Sequence, residues 1–380
     1  MILSVIIVNY NVKYFLEQCL CSLVKAIGTN DLLVNETEIF VVDNNSSDGS
    51  IEFLQSRFPQ IQFIINKKNT GFAKANNQAL TMTGGKYVLF LNPDTIIAED
   101  SLSVCISALE SANHIGAAGV RMIDGSGRFL KESKRGFPFP WAAFCRLSGL
   151  SFLFPHSKLF ASYYLGHLDE FKNNPVDVLS GAFMMIKKEA LDKTGGFDEQ
   201  FFMYAEDIDL SYRLQHMGYT NFYIADTTII HFKGESTKKD SGYTKLFYKA
   251  MDQFYRKHFG TSGLSFYLIQ FGVWCRSKLA LISNSIQSKK NNPGTVFLIG
   301  DESGIDKIKS LLQTSGKKIT RQQQEANEII FCEGNNYSFK KIIQQMQEKN
   351  HSFYFGFHAE KSRSIITSHS RDDSGEAIPI

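Results

Sequence analysis

Asp94 lies at the most informative junction of the sequence. Residues 87–91 are five consecutive apolar or aromatic residues, and Asn92 and Pro93 follow them. Such a run predicts a buried strand that Pro93 ends. A carboxylate at the end of a strand in an open α/β sheet lies where ligands bind, and its oxygens suit Mg²⁺ or Mn²⁺. Asp94 is therefore a candidate ligand for a metal ion that in turn binds a diphosphate. The alternative is an ordinary turn residue.

Two more acidic residues extend this hypothesis. Asp43 follows the apolar run 39–42, so we expect it at the same carboxyl edge of the sheet as Asp94. Asp207 lies in the acidic stretch 206–209, which is typical of the first turn of a helix, where acids also stabilise the helix dipole. A metal diphosphate beside a spare carboxylate suits displacement at a sugar anomeric carbon, because that carboxylate can deprotonate the attacking hydroxyl.

Alternating strands and helices position these residues. The predicted strands are 2–9, 39–42, 61–65, 87–91 and 183–186, and the predicted helices span about 12–27 and 72–83 and begin again near 204. This alternation predicts an α/β fold with a doubly wound, mainly parallel sheet. It restarts after a polar linker, with strands at 296–299, 329–332 and 353–357 and helices near 305–315 and 338–349.

The sequence therefore predicts a catalytic domain at 1–260, an amphipathic segment and linker at 261–294, and a small α/β domain at 295–380. A length of 380 residues accommodates such a division. The role of the small domain is not predicted.

Composition excludes several classes of function. A net charge of +3 without a basic block gives no support for nucleic-acid binding. The six cysteines are scattered, so neither a disulfide framework nor a zinc site is expected, and a reducing cytoplasm is the default location. The N-terminal residues 1–8 lack a basic region and a cleavage site, which favours a first strand over a signal peptide.

Two segments combine aromatic and aliphatic residues with Lys and Arg, namely 137–165 and 264–282. Neither holds 18 or more uncharged apolar residues in a row, so no membrane-spanning helix is predicted. Such composition suits the headgroup region of a membrane surface. Ordinary core helices and a domain interface are the alternative, and both interpretations stay open.

Residues 1–232 resemble a family-two glycosyltransferase of the GT-A fold, in its rhamnosyltransferase-like branch. The motifs that carry this resemblance are Val8-Asn9-Tyr10-Asn11, Val42-Asp43-Asn44-Asn45-Ser46-Ser47-Asp48-Gly49, Asn69-Thr70-Gly71-Phe72-Ala73-Lys74-Ala75-Asn76-Asn77, Leu91-Asn92-Pro93-Asp94, Gly181-Ala182, Gly196-Phe197-Asp198-Glu199-Gln200-Phe201-Phe202, Glu206-Asp207-Ile208-Asp209-Leu210 and His231. Each motif alone is weak, but their order along the chain makes the signal specific.

The resemblance implies a role for each matching residue. The residues implied for the nucleotide-sugar donor are Tyr10, Asn11, Asp43, Asn45, Lys74 and Asn92. Asp94 would be the last acid of the D-x-D metal motif, and His231 would be a further metal ligand or else an ordinary strand-end residue. Asp207 would be the general base, with Gly181 and Glu206 on the acceptor side.

The implied activity is that of an inverting glycosyltransferase that depends on Mg²⁺ or Mn²⁺. It would move a sugar from a nucleotide-diphosphate donor, such as dTDP-rhamnose or a UDP-sugar, to a cell-surface glycan or a polyprenyl-linked acceptor. With such an acceptor, we expect the protein in the cytoplasm, where it could bind peripherally to the inner face of the plasma membrane. The oligomeric state is not predicted.

Two features depart from the pattern of the family. Asn92 replaces the first acid of the D-x-D motif, which leaves one carboxylate to hold the metal directly. The Q-x-x-R-W motif of processive synthases is absent after Asp207, where the chain reads Ser211-Tyr212-Arg213-Leu214-Gln215-His216. We therefore expect transfer of one sugar, or a few, instead of long polymerisation.

Basic residues follow His231 in a polar segment that contains Lys233, Lys238 and Lys239. A mobile loop of this kind could close over the donor diphosphate. A solvated loop with ordinary surface lysines is the alternative.

Two other functions compete with sugar transfer. A sugar-nucleotide pyrophosphorylase would need a Gly-rich, basic loop after the first strand, and residues 12–15 do not supply it. A catalytically inactive relic that binds glycans or nucleotide sugars would not need Asp43, Asp94 and Asp207 together. Hydrolysis of a nucleotide sugar separates an enzyme from such a relic.

Overall fold

The computed structural model describes residues 1–235, 241–260, 294–314, 317–349, 353–368 and 375–380. Within these ranges the chain forms one sheet of nine strands and one of six. The strands of the first sheet are β1 (Leu3–Asn9), β2 (Thr37–Asp43), β3 (Gln62–Ile65), β4 (Tyr87–Leu91), β5 (Thr95–Ile96), β6 (Ile115–Ile123), β7 (Asn174–Val176), β8 (Phe183–Lys187) and β9 (Thr220–His231).

Helices connect these strands. They are α1 (Lys13–Gly28), α2 (Asp31–Val34), α3 (Ser50–Leu54), α4 (Phe72–Leu80), α5 (Ser101–Ser111), α6 (Pro140–Leu147), α7 (Leu150–Leu153), α8 (Lys188–Thr194), α9 (Glu206–His216) and α10 (Ser241–Phe259). Single 3₁₀ turns occur at Lys131–Ser133 and Ser162–Tyr164.

The central strand β1 shows why the sheet is covered on both faces. Leu3, Val5 and Ile7 belong to one hydrophobic core, and Ile6 and Val8 belong to another. Successive side chains of a strand point to opposite faces, so an unbroken apolar run requires packing on both sides. The predicted α/β class is confirmed.

The order of the sheet is β3-β2-β1-β4-β8-β6-β9-β5, with β7 paired to β9. The first four strands are parallel, so Asn9 lies beside Asp43 and Ile7 beside Leu91. The carboxyl ends of β1, β2 and β4 therefore meet at one edge, as expected. Beyond β4 the sheet is mixed instead of mainly parallel, because β8 is antiparallel to both β4 and β6.

A second sheet forms in the C-terminal region. Its order is β11-β10-β12-β13-β14-β15. Its strands are β10 (Thr295–Gly300), β11 (Lys318–Ile319), β12 (Glu328–Cys332), β13 (Tyr354–His358), β14 (Ser364–Ser368) and β15 (Glu376–Pro379), and its helices are α11 (Glu302–Thr314) and α12 (Phe339–Glu348). A 3₁₀ turn lies at Gln323–Glu325. The restart of the alternation is confirmed, whereas independent folding of 295–380 stays a prediction.

The two sheets share a hydrophobic core. The Phe232 ring lies 5.3 Å from the Phe357 ring, and residues of β12, β13 and α12 belong to the same buried cluster as Leu3 and Val5 of β1. The start of α12 is also held from the first part of the chain, because Glu99 accepts hydrogen bonds from the backbone N–H groups at the helix start. A carboxylate there complements the positive end of the helix dipole.

Buried polar groups on α1 fix the position of the C-terminal sheet. Glu17 is 0% exposed and accepts hydrogen bonds from the Ser364 hydroxyl at 2.5 Å and from the Arg363 N–H at 2.7 Å. Arg57 forms an ion pair with the same carboxylate. Gln18 donates to the Ser364 carbonyl at 2.9 Å. Such bonds are directional, so they select one docking orientation.

The described residues contain no helix that is both long and apolar enough to cross a bilayer. Of the two aromatic-rich segments, 137–165 folds into α6, α7 and their connections. The other, 264–282, lies outside the described residues.

We predict that Glu17→Ala lowers the free energy of unfolding by about 3–5 kcal/mol, because removing one member of a buried ion pair leaves the other charge uncompensated. Urea unfolding followed by circular dichroism measures the change. Glu36→Ala is the control, since Glu36 pairs with the N-terminus at a half-exposed position and should contribute less than about 1 kcal/mol. Equal effects of the two substitutions would refute a structural role for Glu17.

Candidate active site

A cavity of about 660 Å³ opens at the carboxyl edge of the first sheet. Loops after β1, β4 and β9, the loop before β8 and the start of α9 line it. The predicted site residues that line it are Tyr10, Asn11, Asn92, Asp94, Gly181, Glu206, Asp207 and His231. The fold therefore brings together groups from distant parts of the sequence.

Asp94 and His231 meet because β5 pairs with β9. Thr95 lies opposite His231 in this antiparallel pair, and the Phe232 N–H donates to the Asp94 carbonyl at 3.0 Å. Asp94 Oδ1 then lies 3.4 Å from His231 Nε2. Asn92 Nδ2 lies 3.4 Å from the same ring nitrogen. The sheet register thus places a carboxylate oxygen and an imidazole nitrogen at one point of the cavity.

The donor set at this point fits a divalent metal ion. Asp94 is 3% exposed, and its Oδ1 has no hydrogen-bond partner among the described residues. A buried carboxylate oxygen needs a compensating partner. Mg²⁺ and Mn²⁺ accept carboxylate oxygen, and Mn²⁺ also accepts imidazole nitrogen. The described residues contain no group of three or more potential metal ligands of the His, Cys, Asp and Glu types.

Asp207 is held by a buried arginine. Its Oδ2 accepts hydrogen bonds from Arg135 Nη2 at 2.5 Å and from the Gly181 N–H at 3.2 Å. Burial alone would lower the pKa of Arg135, but the Asp207 charge beside it prevails and the pKa is raised. Arg135 also donates to the Leu179 carbonyl at 2.9 Å. The ion pair therefore fixes both the orientation of Asp207 and the loop that carries Gly181.

Glu206 behaves differently from its neighbour. Its side chain is buried, and Oε2 has no hydrogen-bond partner among the described residues. Burial, and after it the charge of Asp207, raises the pKa of Glu206 to about 8. This shift favours the protonated carboxyl group at neutral pH. A neutral acid can donate a hydrogen bond into the cavity, which a carboxylate cannot do.

The backbone before α9 is strained. Tyr204 and Ala205 have φ values of 71° and 64°, in the left-handed region that favours glycine. Each such residue costs on the order of 1–3 kcal/mol. The close approach of Gly71 to this segment adds a constraint, since a Cβ on Gly71 would lie 2.5 Å from the Phe202 carbonyl oxygen. The two strained residues start the helix so that Glu206 and Asp207 both reach the cavity.

The third acid of this helix, Asp209, has a structural environment. It is 0% exposed, and it accepts hydrogen bonds from Arg213 Nε at 2.7 Å and Lys257 Nζ at 2.6 Å. His258 Nε2 lies 2.7 Å from its Oδ1. Asp209 thus ties α9 to the end of α10, and unlike Glu206 and Asp207 it does not line the cavity.

Three predicted donor residues lie outside the cavity lining. Asp43 accepts hydrogen bonds from Asn9 Nδ2 at 2.8 Å and from the Ser46 N–H at 2.9 Å, so both of its oxygens hold the loop after β2. Asn45 is exposed with a φ of 68°. Lys74 is exposed and lies 3.7 Å from Glu199. Their contact with a donor stays a prediction.

Asn44 and Glu235 are among the cavity-lining residues that the sequence did not indicate as site residues. Asn44 joins neighbouring loops by accepting from the Thr70 N–H at 3.0 Å and donating to Asn69 Oδ1 at 2.9 Å. Its place inside the motif after β2 was the available signal. Glu235 also lines the cavity and accepts from the Gly375 N–H at 2.8 Å. Arg135 was missed as well, and no pattern near Ser133–Phe137 links it to Asp207.

Of the basic residues after β9, Lys233 lines the cavity and pairs with Glu132 at 2.5 Å. Burial alone would raise the pKa of Glu132, but Lys233 lowers it to about 2. Lys238 and Lys239 lie outside the described residues, so closure of a basic loop stays a prediction.

Residues 4–195 match the family described as Glycosyl transferase family 2. The match covers half of the chain. The protein belongs to glycosyl transferase family 2. This membership confirms the predicted glycosyltransferase class, agrees with a GT-A type of α/β fold, and removes the pyrophosphorylase alternative. The rhamnosyltransferases among the relatives fit the predicted branch.

Relatives in this family include N-acetylglucosaminyl-diphospho-decaprenol L-rhamnosyltransferase of Mycobacterium tuberculosis (strain CDC 1551 / Oshkosh), which is 26% identical over 250 residues, or 63% of this chain and 78% of that protein. Rhamnosyltransferase WbbL of Escherichia coli (strain K12) is 29% identical over 176 residues, or 43% of this chain and 61% of that protein. Among solved structures, mannosyltransferase PcManGT of Pyrobaculum calidifontis, in complex with GDP-Man and Mn²⁺, is 17% identical with a TM-score of 0.47, covering 75% of this chain and 76% of that one.

We predict that Glu206→Gln changes how stability depends on pH. Because the folded state keeps a proton that the unfolded state loses, wild-type stability falls as pH rises from about 4.5 to about 8. The variant has no such loss. Its free energy of unfolding relative to that of the wild type should therefore rise with pH, by at most about 1.4 kcal/mol per pH unit. Urea unfolding across this window measures it.

Glu189→Gln is the matched control, since Glu189 is an exposed acid in the first turn of α8. Its pH dependence should follow the wild type. Parallel curves for wild type and Glu206→Gln would mean that Glu206 is ionised throughout the window.

Proposed function

We propose that this family 2 glycosyltransferase is an inverting, metal-dependent enzyme that uses a nucleotide-diphosphate sugar as donor. The observation that carries the proposal is the difference between two acids of one cavity. Asp94 Oδ1 is buried beside His231 without a hydrogen-bond partner among the described residues, whereas Asp207 is held by an ion pair with Arg135. Asp94 is thus suited to hold a metal ion that binds the donor diphosphate. Asp207 is suited to take a proton from the acceptor.

In the proposed donor complex, Tyr10 and Asn11 lie against the nucleotide, and Asn92, Asp94 and His231 face its diphosphate. Asn11 is preset for this role, because its Oδ1 accepts from the Ser47 N–H at 2.7 Å. Mg²⁺ or Mn²⁺ held by Asp94 and His231 would neutralise the charge that develops on the leaving phosphate. Donors that suit this arrangement are dTDP-rhamnose and UDP-sugars.

The acceptor hydroxyl in this proposal approaches from the side of Gly181 and α9. Asp207 removes its proton while the acceptor oxygen forms a bond to the anomeric carbon and the bond from that carbon to the phosphate oxygen breaks. Attack from the face opposite the leaving group inverts the anomeric configuration. Arg135 keeps Asp207 oriented, and the neutral Glu206 donates a hydrogen bond to the acceptor.

A polyprenyl-linked acceptor at the inner face of the plasma membrane completes the proposal. The name of the Mycobacterium tuberculosis relative includes a decaprenol-linked substrate, which supports a similar acceptor class here. The divergence from the processive motif after Asp207 favours transfer of one or a few sugars. The inactive relic of the same fold is the alternative, and turnover of a nucleotide sugar excludes it.

We predict that Asp94→Ala removes the effect of metal on nucleotide binding. Mn²⁺ should tighten the binding of UDP or dTDP to the wild type by at least about tenfold, since even outer-shell partners of a metal contribute that much. The variant should bind the nucleotide equally with and without Mn²⁺. Isothermal titration calorimetry gives both affinities.

Asp192→Asn is the control for the loss of a carboxylate, because Asp192 is an exposed acid on α8 that pairs with Lys188. It should keep the metal effect in full. A metal effect of the same size in Asp94→Ala and the wild type would remove Asp94 from the metal site.

We predict that Asp207→Asn lowers turnover by about 10²–10⁴-fold, which is the usual contribution of a general base. Nucleotide binding should stay within about twofold, because Asn can still accept a hydrogen bond from Arg135 and so preserve the cavity. Initial rates of sugar transfer and calorimetric affinity separate the two effects.

Glu206→Gln is the comparison, because a neutral amide can replace a neutral acid as a hydrogen-bond donor. It should retain far more activity than Asp207→Asn. Near-normal turnover in Asp207→Asn, or the larger loss in Glu206→Gln, would assign the base to Glu206 instead.

A further inference from the structure

Residues 139–160, here called the aromatic hairpin, form the most apolar exposed surface that the described residues present. They contain α6, α7 and the turns that flank them. Phe152 is 86% exposed and Leu153 is 67% exposed at its tip. The other large exposed apolar side chains of the hairpin are Phe139, Trp141, Phe144, Phe154 and Leu159. Seven large apolar side chains exposed within 22 residues are more than the scattered single ones usual on a protein surface, and such a concentration indicates a binding surface.

The hairpin is an ordered surface. Pro140 occupies the first turn of α6, where its missing N–H costs nothing. Trp141 Nε1 donates to the Leu159 carbonyl at 3.0 Å and so ties the start of α6 to the turn after α7. The rings of Phe154 and Phe160 lie 5.3 Å apart. These contacts support the hairpin from within while its apolar rings face outwards.

The charges of the hairpin select the kind of partner. From residue 133 to residue 168 the sequence contains no Asp or Glu. Lys158 is exposed, and Arg146 lies half-buried with its guanidinium 5.0 Å from the Tyr163 ring centre. Aromatic residues mixed with Lys and Arg suit the headgroup region of an anionic bilayer. A second copy of the hairpin fits less well, because it would bring like charges together without an acid to pair them.

The hairpin also begins directly beside the active site. Arg135 contacts Asp207, and two residues later Phe137 belongs to the buried cluster that contains Ile208 of α9. Phe139 then packs against Phe259 at the end of α10, with ring centres 5.6 Å apart. A membrane that contacts the hairpin would therefore lie near the acceptor side of the cavity.

We propose that the aromatic hairpin inserts into the headgroup and outer acyl region of an anionic membrane and so brings the cavity to a lipid-linked acceptor. This inference rests on the proposed function for its purpose, but the binding itself does not depend on catalysis. Apolar side chains of the tip supply the burial, and Lys158 and Arg146 supply the attraction to anionic headgroups.

The first test is co-sedimentation of the full-length protein with vesicles of phosphatidylcholine, with and without phosphatidylglycerol. We expect the wild type to bind the anionic vesicles, and Phe152→Glu combined with Leu153→Glu to bind at least about tenfold more weakly. The matched control is Leu32→Glu combined with Val34→Glu, which charges two exposed apolar residues of α2. This control should bind like the wild type.

The second test locates the contact. The sequence contains two tryptophans, so Trp274→Phe leaves Trp141 as the only one. Vesicles with brominated acyl chains should quench its fluorescence, and the Phe152→Glu and Leu153→Glu substitutions should prevent the quenching. Quenching reports on Trp141 directly, so binding through another surface would leave the signal unchanged.

Three results would overturn the inference: absence of vesicle binding, binding that the tip substitutions do not weaken, or an unquenched Trp141. A wild-type dimer in light scattering that the tip substitutions dissociate would assign the hairpin to a second copy instead. The tip variant should still hydrolyse a nucleotide sugar at the wild-type rate. Vesicle binding by a protein without this hydrolysis would refute the proposed function alone, and hydrolysis without vesicle binding would refute the hairpin alone.

Discussion

Crowding of carboxyl groups in one largely buried cavity is the constraint on which the site depends. Asp94, Glu206 and Asp207 all line it, and unpaired ionised acids in such a place are costly. Each acid meets this cost in its own way. Asp207 has the Arg135 guanidinium, Glu206 retains a proton, and Asp94 keeps one oxygen beside His231. Glu206 and Asp207 are adjacent in sequence, yet the pKa of the first is raised by burial and the second is ion-paired with Arg135.

The backbone around α9 serves this division of charge. Strain at Tyr204 and Ala205 orients the first turn, and Asp209 anchors the helix to the end of α10 through Lys257 and His258. The strain is tolerated because Phe201, Ala205 and Ile208, around the helix start, belong to one buried cluster that holds the backbone in place. Rigid support of this kind keeps the two cavity acids at fixed positions relative to the loop that carries Gly181.

The sequence indicated a site residue where a chemically suitable side chain follows a recognisable strand or begins a recognisable helix. Asp94 was predictable from the apolar run before it, because the parallel strands β1, β2 and β4 end at a common edge. Asp207 was predictable from the acidic helix start, whereas His231 was singled out only by the family resemblance. Arg135 was not predictable, since its partner is distant in sequence and only the fold brings the two together. The mixed half of the sheet was missed for a related reason, because the reversal of β8 depends on long-range pairing that no local pattern encodes. The aromatic composition of 137–165 was visible in sequence, but the outward direction of its rings was not.

The packing of Phe232 has a consequence for the synthesis of the protein. This residue lies directly between His231 and Lys233, and its ring contacts Phe15 of α1 on one side and Phe357 of β13 on the other. A ribosome produces the chain from the N-terminus, so Phe357 emerges long after the family-matched region has been made. The end of β9 therefore gains its final packing late in translation. A nascent chain stopped before β13 would carry every cavity acid and the Phe15 contact, but it would lack the Phe357 ring against the end of β9.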